Sequence, residues 1–365
     1  MGKKHEGTLT RRPDGRWMFR VMVNGRRITT YGKTQAEAKR KAAERMPLVG
    51  ETATGVQFAH LVKSWTEYGA EKHGLAATTF DQYRYLVTSR VEPLIGKRIL
   101  ESLTAKEMAK VIRQQQGSAS TVRSVYAALV HVLDYAVGQD LVAVNVMRDV
   151  KRPRAAASKR RDISQDEAIR ILKAAQGHRW EVAVWLGLGA GMRRGEMLGL
   201  QWSDLDLDSG YAYISGNVTR SSAGLHRGDP KTRRGKRNVP LPDEVVSALR
   251  VHRRKQAEER LKAGSTWQDS GLVLTNEVGG MAEPRKLSRT WSSWASKAKV
   301  SDRGTHVGRH FAATTLLASG KASVADVAAM LGHDPSVLLN TYAAAVAEGQ
   351  RSAASVLGAA LTVAE

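Results

Sequence analysis

Two hydrophobic periods succeed each other along the chain. In RWMFRVMVNGRRITTYG, residues 16–32, Trp17, Phe19, Val21 and Val23 fall on one face and Arg16 and Arg20 on the other, the two-residue repeat of a strand. Asn24-Gly25, in the middle, accepts the two positive φ angles of a type I′ turn, so the stretch predicts a hairpin. Thr34-Gln35-Ala36-Glu37 then reads as a capping box opening a helix to about Arg45. Met46 to Gly55, rich in Gly, Thr and Pro, reads as a linker. From Val56 to about Val150 the period becomes helical. Thr78 to Asp81 and Thr104 to Glu107 offer cap-and-acid starts, and the run from Ser120 places Val122, Val125, Tyr126, Leu129, Val132, Leu133 and Ala136 at helical spacing. A compact domain of four to five helices is expected there, with no evident catalytic constellation. KRPRAAASKRR, residues 151–161, is a basic hinge. Another capping box, Ser164 to Glu167, opens a third segment that is mostly helical, with a strand-like stretch from about Asp204 to Pro240. The expectation is a mainly α protein with small β-sheets (α+β), in domains 1–50, 56–150 and 162–365.

Charge changes the picture more than composition does. The 365 residues hold 57 Lys+Arg against 35 Asp+Glu, a formal charge of +22 that a polyanion would neutralise. Thirteen of those cations and only four acids lie in residues 1–50. A small sheet with a basic open face is a plausible groove binder, so Arg16, Arg20, Arg26 and Arg27 are candidate DNA contacts. Lys151, Arg152, Arg154, Lys159, Arg160 and Arg161 of the hinge are further candidates. An acidic membrane is the rival partner, yet no apolar run approaches the roughly 18 residues of a spanning helix. The start, MGKKHEGTLT, lacks the apolar core of a signal peptide. Cysteine is absent, which excludes disulfides and thiolate metal sites and fits a reducing cytoplasm.

Candidate chemistry sits in the third segment. GAGMRRGEMLGLQWSDLDL, residues 189–207, places Arg193 and Arg194 at a helix start, where amide groups favour an anion. GTHVGRHFAATTLLASG supplies His306 and Arg309. LGHDPSVLLNTY supplies His333 and, nine places on, Tyr342. DPKTRRGKRNVPL puts Lys231 ahead of a strand, with Lys236 close by. His306 and His310, four apart, could share a metal on a helix face, but no HExxH arrangement completes a ligand set. No glycine-rich phosphate loop calls for ATP. No cofactor is expected.

In this fixed order the motifs resemble those of the tyrosine recombinases, specifically phage-type integrases, and the resemblance covers the whole chain. It implies that Arg193 and Arg309 are the catalytic arginines, Glu196 a supporting acid, Lys231 (or Lys236) the lysine of the sheet turn, and His306, His333 and Tyr342 the remaining catalytic residues. The first segment is similar to an arm-site-binding domain and the second to a core-site-binding domain. Gly308 departs from the family's usual leucine, and looser packing around Arg309 is expected from it.

Chemistry supports the same roles. The nonbridging phosphate oxygens need cations, and guanidinium forks bind them bidentately without losing their protons. A phenol can attack and later leave; only roughly one Tyr in a thousand is ionised at pH 7, so a base must help, and His306 is the natural candidate. Lys231 would protonate the leaving 5′ oxygen, and His333 would hydrogen-bond the phosphate in the transition state. The partners implied are double-stranded attachment sites of core and arm types, a homotetramer on DNA, a host DNA-bending factor and an excisionase. A Xer-like resolvase, a type IB topoisomerase and a non-catalytic DNA-binding regulator are the alternatives. The tail, residues 351–365, carries Val356, Leu357, Ala360 and Leu361 on one helical stripe, expected to dock on its own domain or a neighbouring protomer.

Overall fold

The computed structural model describes residues 7–23, 26–45, 55–154, 162–230, 233–348 and 350. The chain divides into two compact units, Met1–Ser158 and Lys159–Glu365.

The first unit opens with a three-stranded antiparallel meander, β1 (Thr8–Arg11), β2 (Trp17–Val23) and β3 (Arg26–Gly32), in which Phe19 faces Leu9 on one side and Thr30 on the other. Helix α1 (Gln35–Arg45) starts where Thr34 predicts, the Glu37 amide donating to Thr34 Oγ1 at 3.1 Å. Phe19 and Val21 meet Ala38 and Ala42, and the small alanines let the helix lie close on the sheet. Buried Thr30 ties the two together by donating to the Ala38 carbonyl at 2.6 Å. Arg20 projects into solvent from the other face, whereas Arg16 lies in the turn before β2, its guanidinium 2.9 Å from Asp14. Arg26 and Arg27 are the register partners of Val23 and Met22. The expected turn at Asn24-Gly25 lies outside the described residues.

The rest of this unit is helical: α2 (Phe58–Tyr68), α3 (Ala77–Leu86), a π-helical turn at Val87–Val91, α4 (Glu92–Ile95), α5 (Ala105–Arg113) and α6 (Ala119–Gly138). Phe58, Leu61, Val62 and Trp65 form the buried stripe of α2, and Trp65 donates its Nε1–H to His131 Nδ1 at 3.3 Å. The Thr104–Glu107 capping box opens α5 as expected. The start expected at Thr78 does not: α3 begins at Ala77 with Ala76 in the N-cap and no side-chain cap, while Asp81 pairs with Arg84 at 3.2 Å. Burial of Phe80 and Leu86 holds that helix instead of a cap. Lys151, Arg152 and Arg154 are exposed; Lys159, Arg160 and Arg161 lie outside the described residues.

The second unit comprises α7 (Gln165–Ala175), α8 (Val182–Leu188), α9 (Arg194–Gly199), β4 (Leu205–Asp206), β5 (Tyr211–Ile214), β6 (Asn217–Ser221), β7 (Gly224–Gly228), β8 (Arg237–Pro240), α10 (Asp243–Ala263), α11 (Pro284–Lys297), α12 (His306–Ala318), α13 (Val324–Leu331) and α14 (Pro335–Thr341). The strand-like stretch forms two small antiparallel sheets, β4-β5-β8 and β6-β7. Trp180, Trp291, Ile171, Leu186, Met192 and Met197 are among the fully buried side chains of its core. Gly308 corrects the expectation drawn from it. A Cβ there would stand 2.7 Å from the carbonyl carbon of Gly187 and 2.8 Å from its oxygen, so the glycine lets α12 press against the backbone of α8. The packing beside Arg309 is tight rather than loose.

Candidate active site

Helix α13 ends at Leu331, and Gly332 turns the chain through the left-handed conformation, φ 62° and ψ 47°. A helix end leaves carbonyls without partners and carries partial negative charge, both of which attract cations. Three arginines from distant parts of the chain answer. Arg237 donates Nε–H to the Met330 carbonyl at 2.6 Å, Arg309 donates from Nη2 to Leu331, and Arg193 donates from Nη2 to Gly332 at 2.9 Å. Arg309 also donates to the Gly191 carbonyl at 2.9 Å, where positive φ at Gly191 brings that carbonyl within reach. The Leu331-Gly332 turn is thus the frame on which the guanidinium groups are hung.

Glu196 lies beneath them, buried. Its Oε1 accepts from Arg193 Nη1 at 2.6 Å and from Arg237 Nη1 at 3.1 Å, and its Oε2 accepts from Arg237 Nη2 at 3.0 Å. The same carboxylate accepts from the Arg193 amide at 2.9 Å, so the anion at the start of α9 is the chain's own. Burial alone would raise the Glu196 pKa; the Arg237 hydrogen bonds and the charges of Arg237 and Arg193 outweigh it and hold the group below its ordinary value. Arg309 is pushed down to about 9, first by burial and then by the Arg193 charge. It stays protonated at neutral pH.

Two guanidinium groups, those of Arg193 and Arg237, therefore share one carboxylate, and Arg309 hangs from the same turn. Among the described residues, Arg309 Nε and His333 Nδ1 are buried and have no hydrogen-bond partner. His333 follows the glycine turn, and burial, then the Arg309 and Arg193 charges, push its pKa down to about 4, leaving a neutral imidazole. A phosphate here would meet a poorly solvated, positive setting.

Tyr342 ends α14, whose N-cap Asp334 accepts from the Ser336 amide at 3.0 Å. Its ring packs among Ala313, Leu317, Val327, Ala328, Leu331 and Leu338 and is 6% exposed. Its hydroxyl lies 2.7 Å from Nδ1 of His310. His306 is the exposed first residue of α12, one turn before His310. Lys231 lies outside the described residues. Lys236 is exposed and 2.8 Å from Asp229, whose hydrogen bond raises its pKa. Arg194 turns away from its neighbour and donates to Ser288 Oγ at 2.6 Å.

Sequence reasoning missed two residues here. Arg237 stood only as part of the strand KRNVPL; the two-residue period that puts it on the same, buried face as Val239 was the available signal, though it names no partner. His310 was weighed only as a metal partner of His306, although it follows Arg309 directly.

This arrangement can hold one phosphodiester among fixed cations and bring a phenol to it. Residues 161–348 match the model of the phage integrase family and residues 58–153 that of the phage integrase central domain. The chain belongs to the phage integrase family, the tyrosine recombinases that cut and rejoin DNA strands. It is 27% identical to a XerC-like tyrosine recombinase of Caldanaerobacter subterraneus over 94% of this chain and 96% of that protein. An integrase of Streptomyces ambofaciens is 26% identical over 85% and 83%. Among solved structures, the Tn1549 transposon integrase in complex with transposon right end DNA aligns with a TM-score of 0.64 at 19% identity, over 83% of this chain and all of that one. A lambda integrase dimer bound to a COC′ core site aligns at 0.58 and 16% identity, over 93% and 97%.

Proposed function

We propose that the chain is a site-specific integrase that cleaves and rejoins DNA through a 3′-phosphotyrosyl intermediate, inserting and, with accessory factors, excising a phage or mobile genome. The observation that carries this reading is the cluster in which Arg193 and Arg237 share the Glu196 carboxylate and Arg309 hangs from the same Leu331-Gly332 turn, in the unit that also holds Tyr342. Arg193 and Arg309 hold the nonbridging oxygens, His306 serves as the base for the Tyr342 phenol, His333 hydrogen-bonds the phosphate, and Lys231 protonates the 5′ oxygen as it leaves. Lys236, held by Asp229 with a raised pKa, suits that last role less well. Glu196 keeps Arg193 in place.

Within the same proposal, the basic sheet module of residues 1–50 binds arm-type sites and the helical residues 56–150 bind core-type sites. Residues 162–365 carry the chemistry, four protomers assemble on DNA with a bending factor and an excisionase, and the protein works in the cytoplasm of a bacterial host. No described helix is long and apolar enough to cross a membrane. Likeness to a XerC-like protein over nearly the whole chain favours a second reading, a resolvase that uses one kind of site.

The test is incubation of the full chain with a nicked duplex selected by binding from a random-sequence pool. A covalent protein–DNA band, lost in Tyr342→Phe, supports the reading; its absence from the wild type overturns it. Deleting residues 1–50 separates the two readings. An integrase keeps core-site cleavage but loses integration between distant sites, and each lost phosphate contact flattens the log–log salt slope by about 0.9. A resolvase recombines unchanged.

A further inference from the structure

We propose that Arg237 is a positioning residue for strand cleavage: it occupies the Glu196 carboxylate so that Arg193 keeps guanidinium N–H groups for the phosphate, an inference that rests on the recombinase reading above. Arg237 opens β8, shares its buried face with Val239, and has a side chain 6% exposed. From there it reaches three parts of the site. Nε–H donates to the Met330 carbonyl at 2.6 Å, Nη1 donates to the Gly235 carbonyl at 3.0 Å and to Glu196 Oε1 at 3.1 Å, and Nη2 donates to Glu196 Oε2 at 3.0 Å. A guanidinium has five N–H groups, and these bonds use four of them. Buried and nearly saturated, Arg237 is not placed to bind a phosphate itself.

Arg193 is placed the other way. Its side chain is 32% exposed, and among the described residues it makes two bonds, Nη1 to Glu196 Oε1 at 2.6 Å and Nη2 to the Gly332 carbonyl at 2.9 Å. The remaining N–H groups are left for a ligand. Both arginines meet on Glu196 Oε1, while Oε2 is filled by the Arg193 amide and Arg237 Nη2. Arg237 engages both oxygens at once, which a lysine cannot do.

Without Arg237, a buried carboxylate would keep Arg193 as its single ion-pair partner, and a buried charge short of partners draws in the one that remains. Arg193 would turn more of its N–H groups toward Glu196 and away from the phosphate. Burial works to raise the Glu196 pKa; the Arg237 hydrogen bonds and charge oppose it ahead of the charge of Arg193, so Arg237 is the stronger partner. The same side chain ties β8 to Met330, two residues before the Gly332 carbonyl that holds Arg193. One buried arginine therefore places both anchors of another.

The experiment measures melting, duplex affinity and single-turnover cleavage for full-length wild type, Arg237→Met, Arg237→Lys and Arg193→Ala, and for each Arg237 variant combined with Arg193→Ala, below every variant's transition. The substrates are the selected nicked duplex and its counterpart with a methylphosphonate at the scissile position, which lacks one charged nonbridging oxygen and so asks less of Arg193. Arg237→Met should bind the ordinary duplex within a few fold of wild type and cleave it about 100-fold more slowly, the cost of a displaced clamp. Arg237→Lys, which keeps the charge but not the fork, should be slower than wild type by at least about tenfold. Each double variant should cleave within about threefold of Arg193→Ala, because Arg237 acts through Arg193. On the methylphosphonate the deficits of the Arg237 variants and of Arg193→Ala should shrink together. Arg237→Met cleaving within a few fold of wild type would overturn the proposal, and so would deficits that multiply in the double variants. An Arg237 deficit that persists on the methylphosphonate while that of Arg193→Ala shrinks would reduce Arg237 to a part of the fold. Should Arg237→Met not fold, Arg237→Lys decides by the same comparisons. A wild type that forms no covalent adduct would instead sink the recombinase reading on which the proposal stands.

Discussion

Gly332→Ala tests whether the turn after α13 organises the site. The native φ of 62° lies in the left-handed region, which costs an alanine about 1–2 kcal/mol. The added Cβ would stand 2.8 Å from the Arg234 carbonyl oxygen, 3.0 Å from Arg237 Nη1 and 3.2 Å from Arg237 Cδ. The first is backbone, and Arg237 is pinned by Glu196 and the Met330 carbonyl, so neither neighbour yields freely. Overpacking of this kind adds about 1–3 kcal/mol. The sum, about 2–5 kcal/mol, lowers the melting temperature of a unit this size by roughly 5–20 °C. The relief is a shift of the turn that carries the Arg193 and Arg309 anchors, and displacement toward 1 Å costs on the order of 100-fold in rate. Thermal unfolding and single-turnover cleavage, measured below the variant's transition, check both effects. Gly138→Ala, at the end of α6 where an added Cβ meets nothing within 4 Å, is the control and should leave both unchanged. Gly332→Ala melting within 1 °C of wild type and cleaving within twofold would refute the reasoning.

Three other outcomes are expected. Gly308→Leu, which installs the usual family residue, should destabilise by more than about 3 kcal/mol because the Gly187 backbone cannot move aside; wild-type melting would show that α8 and α12 are not in backbone contact. Glu196→Gln leaves Arg193 and Arg237 without their shared anion, a loss of about 3–5 kcal/mol at neutral pH. Because the folded pKa of Glu196 is depressed below its ordinary 4.5, the gap between wild type and variant should be full above that pH and shrink as pH falls through the folded value; a gap independent of pH between 3 and 7 would contradict the ion pair. Lys236→Ala should cleave within a few fold of wild type, whereas Lys231→Ala should fail on ordinary DNA and recover on a 5′-sulfur-bridged duplex, and the reverse pattern in that cleavage assay would exchange the two lysines.

Local signals in the sequence carried over well. The boxes at Thr104 and Ser164 cap α5 and α7 because a cap is decided by side chains within one turn. Arg193, Arg309, His333 and Tyr342 were recognisable by type and order, and all lie in the second unit. What stayed hidden depends on backbone groups far away in the chain. Nothing in KRNVPL announces that Arg237 reaches the Met330 carbonyl and Glu196, and nothing in GRH announces that His310 meets a phenol 32 residues later. Gly308 misled for the same reason, since an absent side chain reads as a gap until its facing element, another glycine on α8, is known. The cap expected at Thr78 failed because burial of Phe80 and Leu86 outweighs a single hydrogen bond.

The central claim is that Tyr342 attacks the phosphodiester held by Arg193 and Arg309. Trapping the covalent complex on the nicked duplex, digesting it with protease and nuclease, and mapping the modified peptide by mass spectrometry tests this most directly. The account predicts a single 3′-phosphonucleotide on Tyr342, within the peptide that spans His333, together with a released 5′-hydroxyl end. A phosphonucleotide on any other side chain, or attachment through a 5′ phosphate, would contradict it.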